Sequence, residues 1–168
     1  MFNLDLSGKR VLVIGSGADL NGRKMAAEVD NPDGKWDFVI RCNRYFGDPE
    51  DVGSRMDLLM VRYFAWRRNF PEDMLEKSRC MAIYEGGFTH EELVSIAEEC
   101  NIRKASCGLL ACWWALQMGA ESVTVIGFGY GDGKWAEFKV YPDGTKDNNP
   151  MYDWDKEHEW MESHVQLI

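Results

Sequence analysis

The chain has 168 residues, with 19 Lys and Arg against 28 Asp and Glu, a formal net charge of −9. That balance argues against broad, sequence-independent nucleic-acid binding, which needs a basic face to neutralise phosphates. A hydrophobic fraction of 45% with 28% charged residues excludes a disordered or fibrous chain and fits one globular domain over residues 1–168. No apolar run approaches the roughly 18 residues of a membrane span. The opening Met1-Phe2-Asn3-Leu4-Asp5 carries neither the basic nor the apolar region of a secretion signal. Cys42, Cys80, Cys100, Cys107 and Cys112 are an odd set without a Cys-x-x-Cys pair. They are expected to be mostly buried and reduced, in a cytoplasmic protein. Global acidity still permits a local anion site. Arg41, Arg44, Arg55, Arg62, Arg67 and Arg68 gather in one stretch, with Arg67-Arg68 better read as solvated surface.

In chain order, Val11 to Ile14 is apolar, β-branched at three of four positions, and too short for a helix. It predicts a strand that runs through Gly15-Ser16-Gly17 into a helix from Arg23 to Val29. Pro32-Asp33-Gly34 marks a turn, Trp36 to Arg41 a second strand, and Tyr45 to Gly53 a loop. Met56 to Val61 is the third strand and Arg79 to Tyr84 the fourth. Thr89 with Glu92 three residues on is a capping box that starts a helix reaching about Cys100. Cys107 to Met118 is strongly apolar and closes at Gly119, a buried helix with a terminal glycine. Ser122 to Ile126 is the next strand, ending at Gly127-Phe128-Gly129. Tyr130 to Pro150 is a long polar loop, expected to be a lid or a flexible segment, and a final helix covers about Asp153 to His164.

Strands that alternate with helices and are apolar throughout predict an α/β fold. The expected architecture is a Rossmann-like, doubly wound, mostly parallel sheet with helices on both faces. Ligands of such sheets sit beyond the carboxyl ends of the strands. Gly15-Ser16-Gly17, Arg41-Cys42-Asn43 and Gly127-Phe128-Gly129 each follow a strand and are expected on that edge. A strand passing through glycines into a helix can seat an anion on backbone N–H groups. Gly15-Ser16-Gly17 alone is weak support, because it lacks the third glycine of a dinucleotide fingerprint and the Gly-Lys-Ser/Thr of a P-loop. A turn needed only for packing remains the alternative. Ser106 can cap the helix that follows it and leave N–H groups facing an anion, or be a plain cap. Asn43 is a candidate ligand residue or a strand-end turn residue. The aromatic stretches Tyr45-Phe46 and Tyr63-Phe64-Ala65-Trp66 offer faces for a base or a sugar, while Trp113-Trp114 reads as core.

Four blocks in order resemble the sialyltransferase family of glycosyltransferases, family 29. Val11 to Gly17, Trp36 to Asn43 and Asp51-Val52-Gly53-Ser54-Arg55 are similar to its long motif. Ser106-Cys107-Gly108-Leu109-Leu110 and Val123 to Gly129 are similar to its short motif, followed by the region of Trp135 and the C-terminal helix. The resemblance implies a GT-A-variant-like fold and a CMP-sugar donor, with the glycosyl group passing to a hydroxyl acceptor. It implies that Gly15, Ser16, Gly17, Asn43, Ser106, Cys107, Gly108, Gly127 and Gly129 line the nucleotide site. No metal and no cofactor beyond the donor are implied. Arg55 is expected to pair with an acid near a sheet edge.

Two departures stand out. The family's last motif is His, four residues, then Glu, with the histidine as general base. Here Glu157 keeps its place and Tyr152 stands at the histidine position. A tyrosine is a weak base at neutral pH unless strongly perturbed. Asp153 is a second candidate base or the N-cap of the last helix. His158 lies about 120° around the helix from Tyr152, and a surface pair with Glu162 or Asp155 is its expected role. The histidine expected after the Gly-Phe-Gly block is also missing. The cysteine that would pair with Cys107 is replaced by Val11, which fits a bacterial, phage or other viral form. The expected partners are a small nucleotide-sugar and an unknown acceptor, without a membrane. The alternatives are a nucleotide-binding sensor or sequestering module that lacks transfer chemistry, or a nucleotide or nucleotide-sugar hydrolase.

Overall fold

Five apolar segments of four or five residues form the centre of a parallel sheet: β1 (Arg10–Ile14), β2 (Phe38–Cys42), β3 (Leu58–Val61), β4 (Arg79–Ala82) and β5 (Ser122–Ile126). This computed structural model describes residues 4–43, 48–64, 68, 70–128, 139–140, 146–147 and 151–168. A short edge strand, Gln166–Leu167, pairs parallel to β5, and the sheet order is β4, β3, β2, β1, β5, then this last strand. A two-stranded antiparallel ladder (β6, Lys139–Val140; β7, Lys146–Asp147) lies apart from it, so the edge strand is β8. The chain steps outward from β1 to β4 and then returns to β5 on β1's other side. The order therefore reverses between β1 and β5, the place where sheets of this kind open a crevice.

Both faces are covered because the strands are apolar on both. Val11, Val13, Ile40, Leu58 and Met60 point towards α4 (His90–Glu99), α5 (Cys107–Gln117) and α6 (Trp154–His164). Leu12, Ile14 and Val39 point the other way, beneath a 3-10 turn (Ala18–Leu20) and the single turns α1 (Ala26–Val29) and α2 (Pro49–Val52). Leu59 and Val61 pack on that same face with Met74 of α3 (Glu72–Lys77). The parallel, doubly wound α/β expectation holds. Thr89 makes its capping box in full: its hydroxyl accepts from Glu92 N–H at 3.1 Å and the Glu92 carboxylate accepts from Thr89 N–H at 2.7 Å. Trp114 is core as expected, whereas Trp113 is half-buried and its indole N–H donates to Glu99 at 3.1 Å.

Some expected elements are shorter or different. The helix drawn from Arg23 begins only at Ala26, because Lys24 adopts φ +52° and Asp51 accepts from the N–H groups of Gly22 and Lys24. The expected loop before Gly53 contains α2, started by an Asp48 cap on Glu50 N–H and by Pro49 in the first turn. The fourth strand stops at Ala82, and a π-type turn, Ile83–Gly87, takes the chain on.

The Asp51-to-Arg55 segment is scaffold. The Arg41 guanidinium, 2% exposed, donates to the carbonyls of Val52 at 2.8 Å, Gly53 at 2.9 Å and Arg55 at 3.0 Å. Asp30 accepts from the N–H groups of Ser54 and Arg55, both at 2.7 Å. Arg55 donates to Trp36 and Asp37 carbonyls and pairs with Asp57 at 3.1 Å, so it fills the pairing role expected of it. Arg41 and Arg55 therefore leave the anion cluster suggested by their sequence proximity. Arg41→Met would leave three carbonyls facing an apolar chain, and each lost charged hydrogen bond costs about 1.5–3 kcal/mol. Chemical denaturation should show a loss of at least about 3 kcal/mol, and Arg41→Lys should recover less than half of it, because an ammonium lacks the planar fork.

Candidate functional site

The β1–β5 crevice is closed by the protein itself. Gly15 N–H donates to Ile126 O at 2.8 Å and Gly17 N–H to Gly127 O at 2.6 Å, continuing the parallel ladder past the strand ends. Gly127, at φ +75°, donates its N–H to the Asp19 carboxylate at 2.9 Å. Ser16 is only 2% exposed. The Phe128 ring fills the remaining space. A β-carbon at Gly15 would lie 2.9 Å from that ring and 2.3 Å from Gly127 O, and one at Gly108 would lie 2.0 Å from the same ring. Gly15 and Gly108 are thus brought together as expected, but around an aromatic side chain. The expectation that Gly15 and Gly17 offer N–H groups to a phosphate is corrected: sheet geometry uses both. Gly129, Trp135 and the residues of the long loop other than β6 and β7 lie outside the described residues.

The next carboxyl ends along the sheet, those of β2 and β3, are crossed by the first turn of α5. The Cys107 thiol donates to Met60 O at 3.1 Å, and Cys107 O accepts from the Cys42 thiol at 3.9 Å. The Cys107 side chain therefore faces the strand ends and seats the helix. All five cysteines are free thiols. Ser106 is an N-cap: its Oγ accepts from Leu109 N–H at 3.2 Å. Its own N–H donates to Glu157 Oε1 at 2.6 Å. The anion at this helix end, where the partial positive charge of the dipole is concentrated, is a carboxylate of the chain, 2% exposed. Gly108 sits at the second helical position, where the N–H has no intrahelical acceptor. Asn43 follows β2 at φ +60°, its N–H bonded at 2.9 Å to Met60 O, the carbonyl that also takes the Cys107 thiol. The buried Asn43 Oδ1 has no hydrogen-bond partner among the described residues.

Glu157 draws the start of α6 onto this edge, and with it Tyr152. The phenol is buried, its hydroxyl without a hydrogen-bond partner among the described residues. Its ring lies against Trp154 at 4.7 Å between centroids. Two cations flank it: the Arg62 guanidinium at 5.4 Å and Lys104 Nζ at 6.0 Å from the ring centroid. Lys104 also lies 5.4 Å from the centroid of Tyr84, which is 5.4 Å from Tyr63. Arg62 follows β3, Tyr84 follows β4, and Lys104 precedes the α5 cap. Lys104, Tyr84 and Trp154 were not singled out from the sequence. The available signal was position alone: Tyr84 follows β4, Lys104 precedes the α5 cap, and Trp154 is the first residue of α6.

The other two candidates for acid–base work are engaged elsewhere. The Asp153 carboxylate accepts from Arg103 Nη2 at 2.7 Å, Arg103 Nε at 3.0 Å and the Arg103 backbone N–H at 2.7 Å. These bonds hold its pKa below the usual carboxylate range, the wrong direction for a base at neutral pH. Asp153 occupies the N-cap position without a side-chain cap bond, so that expectation holds by place and not by contact. His158 Nε2 lies 3.2 Å from Glu162, the partner expected, but the imidazole is largely buried and not at the surface. Burial pushes the imidazole pKa down, against the opposing pull of Glu162. Of the three, Tyr152 has Arg62 and Lys104 at its ring, while Asp153 lines the same pocket bonded to Arg103.

Among the described residues, no group of three or more His, Cys, Asp or Glu side chains is arranged to hold a metal, and no helix is long and apolar enough to cross a membrane. No family model and no curated protein matches the sequence. The fold does match solved structures. A mammalian sialyltransferase in complex with Gal-beta-1-3GalNAc-ortho-nitrophenol superposes with a TM-score of 0.59 at 16% identity, over 96% of this chain and 69% of that one. A second structure of a mammalian sialyltransferase gives a TM-score of 0.55 at the same identity and coverage. The shared feature is the architecture.

Two outcomes follow from the site's packing. Gly108→Ala drives a methyl into the Phe128 ring and should lower stability by about 1–3 kcal/mol. With Phe128→Ala added, the loss measured by denaturation should fall short of the sum of the two single changes. Asp153, with its pKa lowered in the folded chain, stabilises above its unfolded value of about 4. That contribution disappears as pH falls through the folded value. The melting temperatures of wild type and Asp153→Asn should therefore differ at neutral pH and converge in acid.

Proposed function

We propose that the chain is a glycosyltransferase-like protein that binds a cytidine mononucleotide-sugar at the carboxyl edge of its sheet and transfers the glycosyl group to a hydroxyl acceptor. The supporting observation is a convergence: in a fold shared over 96% of the chain with a mammalian sialyltransferase, Asn43, the start of α5 and Tyr152 meet on one edge. In this reading Asn43 Oδ1, without a hydrogen-bond partner among the described residues, accepts from the nucleotide. The Gly108 N–H and the cations Arg62 and Lys104 balance the phosphate. Tyr152, in its phenolate form, holds the acceptor hydroxyl and takes its proton, becoming the neutral phenol. The acceptor oxygen bonds to the anomeric carbon as the bond from that carbon to the phosphate oxygen breaks, and CMP leaves with the electron pair. Donors already in place at the departing phosphate lower the barrier without reorganising.

A second reading, nucleotide binding without transfer, is favoured by the engagement of Asp153 with Arg103 and of His158 with Glu162. These pairs leave Tyr152 as the one candidate base of the three. Calorimetry against CMP, CDP, UDP and NAD, with CMP-sugar turnover by Tyr152→Phe and Tyr152→His, separates the two. For a transferase, CMP binds to both variants and Tyr152→Phe lowers turnover by about 100-fold or more. For a binder, the wild type is silent and only Tyr152→His gains turnover. Binding of NAD without any cytidine nucleotide would overturn both readings.

A further inference from the structure

Two hydrogen bonds that bracket Lys104 fix its place beside Tyr152. The Asp153 carboxylate accepts from the Arg103 N–H at 2.7 Å, and the Glu157 carboxylate accepts from the Ser106 N–H at 2.6 Å. The residue after Tyr152 is thus tied to the residue before Lys104, and α6 is tied again two residues beyond it. With both backbones held, Lys104 Nζ stands 6.0 Å and the Arg62 guanidinium 5.4 Å from the Tyr152 ring centroid. The phenol is buried and both cations are half-buried. Among the described residues no carboxylate lies within ion-pair distance of Lys104. The other charges of the cleft are Arg103 and Asp153, bonded to each other, and the exposed Asp155 and Lys156. Glu157 is engaged at the amino end of α5. The charge facing the ring is therefore positive on balance.

A cation over a neutral phenol meets only the ring quadrupole, whereas over a phenolate it meets a full charge. Its proximity favours the ionised form and opposes burial, which favours the neutral one. An acceptor on the hydroxyl would hold the proton in place, and among the described residues there is none. From this geometry we infer that Lys104 is a positioning residue that stabilises Tyr152 as its phenolate, with Arg62 in support. The inference rests on the transferase reading and adds what makes a tyrosine serviceable as its base. The phenolate takes the acceptor proton, the neutral phenol later returns it to solvent, and Lys104 stays charged throughout.

The test uses the full chain, Lys104→Met and Lys104→Arg, each made again with Tyr152→Phe. Tyrosinate absorbance is followed during alkaline titration without ligand. Subtracting each Tyr152→Phe counterpart isolates Tyr152 from the other tyrosines. The Tyr152 signal should rise about one pH unit or more lower in the wild type than in Lys104→Met, as expected for a cation at this range. Lys104→Arg should stay close to the wild type. With CMP-sugar at saturation, Lys104→Met should lower kcat about tenfold at neutral pH. That deficit should shrink as pH rises, because alkali then supplies the phenolate. Identical titration of Tyr152 in the wild type and Lys104→Met would overturn the inference and leave the transferase reading standing. A kcat deficit that stays constant with pH would overturn it too, because Lys104 would then serve the departing phosphate alone. Absence of CMP binding with the titration difference intact would defeat the transferase reading and keep Lys104 as the group that favours the Tyr152 phenolate.

Discussion

The carboxylate of Glu157 at the amino end of α5 is the contact on which the carboxyl edge depends. Removing an unpaired charge from water costs several kcal/mol even after relaxation, and Glu157 is buried. Its compensation is the Ser106 N–H at 2.6 Å and the positive end of a helix whose first turn sits on Met60 and Cys42. The bond connects two helices distant in sequence, so α6 cannot shift along α5 without stranding that charge. Tyr152 precedes Glu157 by five residues and enters the edge where this contact puts it. Arg103 and Asp153 close a second clamp on the same entry, joining the residue before Lys104 to the residue after Tyr152.

With α5 and α6 fixed, the sheet divides its carboxyl edge into a sealed half and an open half. At β1 and β5 the ladder runs on through Gly15 and Gly17, Asp19 takes the Gly127 N–H, and Phe128 fills the gap. The glycines there are small because a ring and a carbonyl need the room. At β2, β3 and β4 the residues that follow the strands are Asn43, Arg62 and the segment of Tyr84; Arg62 meets Tyr152, and Tyr84 meets Lys104, which also stands over Tyr152. Chemistry-bearing side chains are therefore displaced from the topological switch point toward the neighbouring strands. The Asp51-to-Arg55 segment supports this arrangement from beneath, because Arg41 and Asp30 hold its backbone against β2.

The sheet was legible because continuous apolar runs of four to six residues leave a strand few alternatives, and α4 and α5 announced themselves by a capping box and a terminal glycine. What escaped is what tertiary contact decides. The helix expected from Arg23 loses its first turn because Asp51, twenty-seven residues away from Lys24, captures the N–H groups there. α2, α3 and β8 are one or two turns or two residues long, too short for periodicity to register. Six arginines close in sequence suggested one patch, yet Arg41 and Arg55 point into the scaffold while Arg62 faces Tyr152. Tyr152 was legible through its spacing from Glu157. The tie between Asp153 and Arg103, fifty residues apart, was not.

The open half of the edge also resolves a conflict that net charge alone creates. A chain at −9 should repel a phosphate, but its charge is spread over the surface and decays over a screening length of about 8 Å at physiological salt. Arg62 and Lys104 lie within that distance of the Tyr152 ring. Two acids beside the cluster are engaged: Asp153 faces Arg103, and Glu157 faces the helix end. A ligand at Tyr152 therefore meets two cations at short range. The same pairing that withdraws Asp153 from acid–base chemistry keeps its charge from cancelling Lys104. One carboxylate's position thus makes the edge less basic as a proton acceptor and more attractive to an anion.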